Sequence, residues 1–363
     1  MSERIDDDRR RVLGATVMSL VGARLGMLGS VLHQVAPAAH PLPVSGELQS
    51  LESATGWLNS LPLTPAGLRG RVVLIDFWTY TCINWLRQLP YVRAWAEKYT
   101  ASGLVVIGVH TPEFTFEHNV DNVRRAAKDI GVEYPVAIDN DYAIWRAFRN
   151  AYWPALYLVD AKGKVRYRHF GEGEYERSEK MIQRVLGESG ARDVGRGVVA
   201  VEGRGIEAAP DWESLRSPET YLGSERTQNF ASSHGVGIDG RHVYRAPGRL
   251  MLNHWALSGD WTLGREATVL NRANGRVGIR FHARDLHLVM GPASRGTPVR
   301  FRVFIDGQPP GAAHGIDVDA QGNGTATEQR MYQLIRQSQP IADRHFEIEF
   351  VDPGVEIFSF TFG

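Results

Sequence analysis

The sequence predicts an α/β domain followed by an all-β domain. Between residues 72 and 186, apolar runs rich in β-branched residues alternate with segments of helical spacing, as in an α/β sandwich. From 187 to 217 this periodicity gives way to glycine, arginine and proline, which is typical of a linker. Beyond it, short apolar runs separated by glycine-bearing turns predict a β-sandwich of jelly-roll type.

The length of 363 residues is enough for these two domains and a leader. The predicted boundaries are an export signal over 1–40, an irregular lead-in over 41–70, the α/β domain over 71–187, a linker over 188–217 and the β-sandwich over 218–363.

The elements of the first domain follow from the period of the apolar residues. Strands are predicted at Val72–Phe77, Leu104–His110, Val136–Ile138, Ala155–Val159 and Val165–Phe170. Helices are predicted at Ile83–Tyr99, Glu117–Ile130, Tyr142–Phe148 and Tyr175–Leu186. The last two strands are joined by a short turn that contains Gly163, so we expect them to form a hairpin.

The second domain shows eight short strand patterns. They are Arg241–Tyr244, Met251–Leu257, Glu266–Leu270, Val277–His282, Leu286–Met290, Val299–Ile305, His345–Phe350 and Val355–Phe362. The segment near 329–335 is left open between helix and strand.

Composition excludes several functional classes. The 41 lysines and arginines equal the 41 aspartates and glutamates, so no broad field favours nucleic acid or an acidic membrane surface. A single cysteine excludes an internal disulfide and a cysteine-rich metal cluster. His110 and His118 do not form a close ligand pair. His282 and His287 are five residues apart, which would place them on opposite faces of a strand. We therefore expect no metal and no cofactor.

The first forty residues resemble a twin-arginine export signal. Arg9 and Arg10 are followed, after one residue, by the apolar pair Val12-Leu13, and a small-residue apolar stretch continues to Leu32. Arg24 interrupts that stretch, which argues against a spanning helix of ~20 apolar residues. We expect an exported, periplasmic protein with no stable membrane span after signal removal. The alternative is an amphipathic surface helix.

Cys82 lies at the junction of the predicted strand Val72–Phe77 and the helix that follows. Unpaired backbone N–H groups and the helix dipole at such a junction favour a thiolate, so we expect a reactive cysteine. The local sequence is C-I-N-W, with Trp85 at the position of the second cysteine of a C-x-x-C motif. The alternative is that Cys82 is a small buried apolar residue without chemistry.

Residues 72–186 resemble a thioredoxin-fold domain of the TlpA/DipZ-type extracytoplasmic thiol–disulfide proteins. Asp76 precedes Cys82 by six residues, and Pro90 follows it by eight, as in thioredoxins. Trp153-Pro154 stands before the fourth strand, where the family has a cis-proline. Residues 109–114 and 169–173 are similar to the DipZ branch.

The resemblance implies a set of site residues. Cys82 would be the nucleophile. Asp76 would be the buried acid that serves the second cysteine in the family, a role that Trp85 removes here. Its place at the end of an apolar strand predicts a raised pKa, and the alternative is a hydrogen-bonded structural polar group. Trp85, Trp153 and Pro154 would line the groove for a substrate strand. Arg87, one helical turn on, is expected either to help bind an anion or to be a solvated helix charge.

The resemblance also extends past the linker. Members of the DipZ branch can carry a C-terminal β-sandwich similar to a carbohydrate-binding module, which implies a possible glycan ligand. Four aromatic residues of this region could stack on a sugar or, more simply, pack in the core: Tyr221, Trp255, Trp261 and Tyr332.

Three functional hypotheses follow. The first is an exported thiol–disulfide protein in which Cys82 forms transient mixed disulfides with periplasmic protein thiols or a small-molecule thiol, because Trp85 cannot resolve them. The second is a single-cysteine peroxidase, with Thr79 and Arg149 beside Cys82, although Ile75 replaces the proline of peroxiredoxins. The third is a redox-inactive protein that binds a protein segment or a glycan.

Overall fold

A computed structural model describes residues 46–233, 235 and 240–363. The predicted export signal over 1–40 and the start of the lead-in lie outside the described residues. By its contacts the chain divides into two compact units. The first contains the described residues up to Trp78 with 95–111 and 134–198, and the second contains 79–94, 112–133 and 199–363.

The first unit is built on a six-stranded sheet with the order β1-β4-β3-β2-β5-β6. Its strands are β1 (Gly56–Leu58), β2 (Val72–Trp78), β3 (Leu104–His110), β4 (Val136–Ile138), β5 (Ala155–Val159) and β6 (Val165–Phe170). The β2 strand is parallel to β3 and antiparallel to β5, and β5 and β6 form the predicted hairpin. Every residue of β2 is buried, as its apolar sequence requires for a central strand.

The helices among the described residues are α1 (Gly46–Gln49), α2 (Ile83–Tyr99), α3 (Val120–Asp129), α4 (Ala143–Ala147) and α5 (Tyr175–Glu188). Short 3-10 turns lie at Ser50–Ser53, Thr115–His118, Gly205–Glu207 and Gly311–Ala313. The helix predicted over 117–130 is divided. Asn119 ends the 3-10 turn and caps α3, because its side chain accepts hydrogen bonds from the N–H groups of Asp121 and Asn122.

The β-rich part of the second unit contains eleven strands among the described residues. They are β7 (Thr220–Tyr221), β8 (Arg241–Tyr244), β9 (Trp255–Leu263), β10 (Thr268–Leu270), β11 (Gly275–Phe281), β12 (Asp285–Pro292), β13 (Val299–Ile305), β14 (Asn323–Ala326), β15 (Arg330–Arg336), β16 (Arg344–Phe350) and β17 (Val355–Phe362). The main path is β14-β13-β16-β11-β9-β10-β17-β12-β15, while β7 pairs with β17 and β8 with β9.

The long strand β9 connects the two halves of this curled sheet. Its first half pairs with β11 and its second half with β10. Gly259 lies between them with a φ of 107°, a conformation that favours glycine. A Cβ at Gly259 would also lie 3.0 Å from the Cα of Gly275. The two halves enclose one apolar core, which confirms the predicted all-β sandwich.

The segment near 329–335, left open by the sequence, is strand β15. Its residues Met331, Tyr332, Leu334 and Ile335 are all buried, so packing on both faces removes the alternation that would have identified it. No helix in the described part of the chain is long and apolar enough to cross a membrane.

Candidate functional site around Cys82

Cys82 lies where the loop after β2 turns into helix α2. Its N–H donates to the carbonyl of Thr79 at 3.2 Å, and its carbonyl accepts from the N–H of Leu86 at 3.0 Å. The cysteine is therefore attached to the first turn of a 17-residue helix. The residue is partly exposed. This geometry matches the predicted position of the thiol at a strand-to-helix junction.

The surroundings of the Cys82 thiol disfavour the thiolate that the sequence led us to expect. Burial raises the pKa of Cys82 well above its ordinary value, and the nearby carboxylates of Glu113 and Glu219 raise it further. The N–H groups of Trp85 and Asn84 at the start of α2 lower the pKa, as predicted, but by less. At neutral pH, Cys82 is therefore mainly a protonated thiol.

Glu113 is held by two residues that follow the linker. The Tyr221 hydroxyl donates to Glu113 Oε1 at 2.9 Å, and Arg226 Nη1 donates to the same oxygen at 2.8 Å. The Arg226 guanidinium also lies over the Tyr221 ring, 3.6 Å from its centroid. The side chain of Glu113 is 9% exposed in this ion pair, so its negative charge has a fixed place.

A second acid, Glu117, connects this segment to the residue before the cysteine. Its Oε1 accepts the Thr81 hydroxyl at 2.5 Å, and its Oε2 accepts the N–H groups of Glu113 at 2.6 Å and Phe114 at 2.9 Å. Glu117 is fully buried. Burial raises its pKa to about 7, although these hydrogen bonds favour the ionised form.

Trp85 and Arg87 are both buried in the second unit. The Trp85 side chain is fully buried, so in this structure it offers no surface to an incoming substrate strand. Arg87 is 3% exposed and its Nη2 donates to the carbonyl of Phe362 in β17 at 3.0 Å. Arg87 is thus neither a solvated helix charge nor an exposed anion ligand, because its guanidinium is bound to the last strand.

Asp76, Trp153 and Pro154 belong to the first unit. Asp76 is fully buried in β2 and accepts a hydrogen bond from the Tyr134 hydroxyl at 3.4 Å. The Trp153–Pro154 peptide bond is cis, as the resemblance implied. The Trp153 indole is partly exposed, and its N–H donates to the carbonyl of Thr111 at 3.0 Å.

The two residues of the peroxidase hypothesis have different environments. Thr79 is fully buried in the second unit, whereas Arg149 is exposed in the first unit with a φ of 52°. Peroxide oxidation requires a thiolate, which the raised pKa of Cys82 disfavours at neutral pH.

Three of the four aromatic residues considered for sugar stacking lie in the core, whereas Tyr221 is half-buried and donates its hydroxyl to Glu113. Trp255 and Trp261 are fully buried and Tyr332 is 1% exposed, so their rings pack in the core and do not face solvent.

The β domain has a cleft of about 340 Å³ on the outer side of β9, β11 and β16. Its lining includes Arg249, Arg276, Arg280, His345 and Glu347. Among the described residues, no group of three or more histidine, cysteine and acidic side chains is suited to a metal.

Glu113, Glu117 and Arg226 are not among the predicted site residues. The stretch over 109–114 resembles the DipZ branch, and this is the one available signal for Glu113. Nothing in the sequence pattern connects Arg226 to a residue 113 positions earlier. Only the fold brings them together.

Comparisons with known proteins agree with this architecture. Residues 48–186 match the family described as Redoxin, and residues 217–363 match the family described as thioredoxin like C-terminal domain. The sequence is 34% identical over 348 residues to the protein DipZ of Mycobacterium tuberculosis, a match that covers 94% of this chain and 46% of DipZ. The chain thus spans about half the length of that relative.

Two further matches each cover less than half of this chain. The thiol-disulfide oxidoreductase YkuV of Bacillus subtilis is 28% identical over 142 residues, which are 39% of this chain and 95% of YkuV. The solution structure of a thioredoxin-like protein in the oxidized form is 31% identical, with a TM-score of 0.35, and covers 37% of this chain and 90% of that one. The two family matches and the match to DipZ confirm the resemblance that the sequence predicted.

Proposed function

We propose that this chain, which belongs to the thioredoxin-like thiol–disulfide oxidoreductase family, uses Cys82 alone to form mixed disulfides with disulfide-bonded partners. The observation that supports this most is the position of Cys82, a partly exposed residue, at the amino end of α2. Helix N–H groups directed at the sulfur favour its ionised form, and the ionised form is the nucleophile. The partner is a protein or a small molecule that carries a disulfide.

The proposed reaction has two exchanges. The Cys82 thiolate attacks one sulfur of the partner disulfide, a new S–S bond forms, and the other partner sulfur leaves as a thiolate. No second cysteine is present at position 85 to break the new bond. An external thiolate must therefore attack the mixed disulfide, which returns Cys82 to its reduced state and leaves the partner in a disulfide with the external thiol.

The raised pKa of Cys82 gives this reaction a pH dependence. Below the pKa the thiolate fraction rises about tenfold per pH unit, and the rate of attack rises with it. Incubation of the full chain with glutathione disulfide at pH 7, 8 and 9, followed by intact mass measurement, should show one adduct per chain, formed faster at each step. The Cys82→Ser variant is the control and should form none.

An adduct that forms only after denaturation would refute the proposal, because it would show that the folded chain keeps the thiol from disulfides. The peroxidase alternative has its own test. Peroxide followed by dimedone should label Cys82 if a sulfenic acid forms, and the absence of label at pH 9 would remove that hypothesis.

We also propose that the chain is exported through its twin-arginine pattern. The supporting observation is the order of Arg9, Arg10, Val12 and Leu13 before an apolar stretch. Replacement of both arginines by lysine should move the protein from the periplasmic to the cytoplasmic fraction of the cells that produce it. An unchanged distribution between the fractions would contradict this proposal.

Binding without redox chemistry is the second candidate function. It is favoured by the raised pKa of Cys82 and by the cleft on β9, β11 and β16, whose arginine, histidine and glutamate side chains can hydrogen-bond to sugar hydroxyls. Retention of the wild-type chain on immobilised polysaccharide, with loss of retention in Arg280→Ala, would support a glycan site there. Passage of the wild-type chain without retention would count against it.

A further inference from the structure

The charges around Cys82 include a contribution from beyond the linker. Glu113 belongs to the segment before α3, whereas Arg226 and Tyr221 belong to residues 199–363, and all three lie in the second compact unit with Cys82. Arg226 and Tyr221 both donate to the same oxygen of Glu113. A carboxylate with two donors and a stacked guanidinium is fixed in position.

A chain of hydrogen bonds connects this ion pair to the cysteine segment. The backbone N–H of Glu113 donates to Glu117, and Glu117 accepts the hydroxyl of Thr81, the residue before Cys82. Displacement of Glu113 would therefore also alter the environment of the Thr81–Cys82 peptide. Among the charged groups near the thiol, Glu113 on this segment and Glu219 beyond the linker both raise the pKa of Cys82.

We propose that Arg226, supported by Tyr221, is a positioning residue for Cys82: it holds the Glu113 carboxylate beside the cysteine segment and offsets its negative charge at the thiol. The region that follows the linker thereby sets how readily Cys82 ionises. This inference deepens the proposed function and rests on it, since thiolate formation controls mixed-disulfide formation.

The sign of each effect follows from the charges. A glutamate is ionised at the alkaline pH at which a thiol titrates, so Glu113 opposes the thiolate there. The guanidinium of Arg226 cancels part of that opposition. Removal of Glu113's charge should therefore favour the thiolate, and removal of Arg226's charge should disfavour it.

Iodoacetamide labelling of the full chain against pH tests this, because alkylation reports the thiolate fraction. At pH 8, Arg226→Gln should label about three- to tenfold more slowly than the wild type, and Glu113→Gln faster by a similar factor. Arg226→Lys, which keeps the charge, should recover most of the wild-type rate. Arg300→Gln is the control: it removes an exposed arginine that pairs with Asp352, and it should leave the labelling rate of Cys82 unchanged.

The double variant Glu113→Gln/Arg226→Gln guards against a folding defect, since it leaves no unpaired buried carboxylate. It should label more slowly than Glu113→Gln alone, because only the latter keeps the positive charge near the thiol. Equal labelling of these two variants would overturn the proposal. So would an Arg226→Gln variant that still labels more slowly by the same factor above the labelling midpoints of both proteins, because both thiols are fully ionised there and the difference would indicate altered access.

The labelling experiment does not require that Cys82 react with disulfides. If glutathione disulfide forms no adduct while the labelling midpoints shift as stated, the proposed function fails and the role of Arg226 stands. If adducts form and the labelling midpoints do not move, the proposed function stands and the role of Arg226 fails.

Discussion

The buried carboxyl group of Glu117 should make the stability of the protein fall between weakly acidic and neutral pH. Burial raises its pKa from 4.5 to about 7 in the folded protein. The folded state therefore binds this proton more tightly than the unfolded chain does. The stabilisation is fully present below pH 4.5 and is lost as the pH rises through 7.

The size of the effect follows from the shift in pKa. At 1.36 kcal/mol per unit, the rise to about 7 corresponds to a loss of about 3 kcal/mol from the free energy of unfolding by pH 8. Glu117→Gln keeps the shape of the protonated acid and can still meet Thr81, Glu113 and Phe114. Because glutamine does not ionise, the variant should lack this loss.

Urea unfolding followed by tryptophan fluorescence measures the difference. The free energy of unfolding of Glu117→Gln minus that of the wild type should grow by about 3 kcal/mol from pH 4.5 to pH 8. Glu176→Gln is the control, because Glu176 pairs with Lys180 on the exposed face of α5 and its side chain is 66% exposed. Parallel curves for wild type and Glu117→Gln would refute the reasoning about the buried acid.

Three further predictions concern other parts of the chain. Gly108→Ala should lower the free energy of unfolding by about 1–3 kcal/mol in urea titrations, since its Cβ would lie 2.8 Å from Trp78 Nε1, whereas Gly56→Ala, with a nearest contact of 3.7 Å, should change it little. His287, whose pKa burial lowers to about 3, should show no imidazole titration by NMR between pH 7 and 4.5; a midpoint near 6.5 would contradict its burial. Trp85→Cys should destabilise the fold by about 3–5 kcal/mol by opening a cavity, but should add dithiol-dependent reduction of insulin; a folded variant without that activity would show that spacing alone is insufficient.

The fold could be predicted from the sequence because its signals are local. The apolar run of β2, the helical spacing of α2 and the tight turn between β5 and β6 each specify their own element. The segment that forms strand β15 stayed open between helix and strand because its signal is not local. A strand that is buried on both faces loses the alternation that distinguishes it from a buried helical segment.

The sequence predicted where the candidate site lies, but not the pKa of its thiol or the burial of Arg87. The junction placed Cys82 at the start of α2, and the helix N–H groups do lower its pKa. Burial and the Glu113 carboxylate raise that pKa by more, and the burial of Arg87 depends on a carbonyl 275 positions away. Such long-range contacts have no local pattern, so the direction predicted for the pKa of the thiol was wrong.

A lone thiol with a raised pKa has a consequence for the lifetime of its mixed disulfides. In thiol–disulfide exchange the sulfur with the lower pKa leaves faster. An external thiolate that attacks the Cys82 adduct should therefore expel the partner's sulfur more often than that of Cys82, which exchanges one adduct for another and makes the return of Cys82 to its reduced state the slower outcome. With Trp85 in place of a second cysteine, no internal thiol at that position competes with this outcome. Under the proposed function, Cys82 would therefore hold a thiol partner rather than turn over rapidly, and the charges of Glu113 and Arg226 would set the pKa on which the lifetime of the adduct depends.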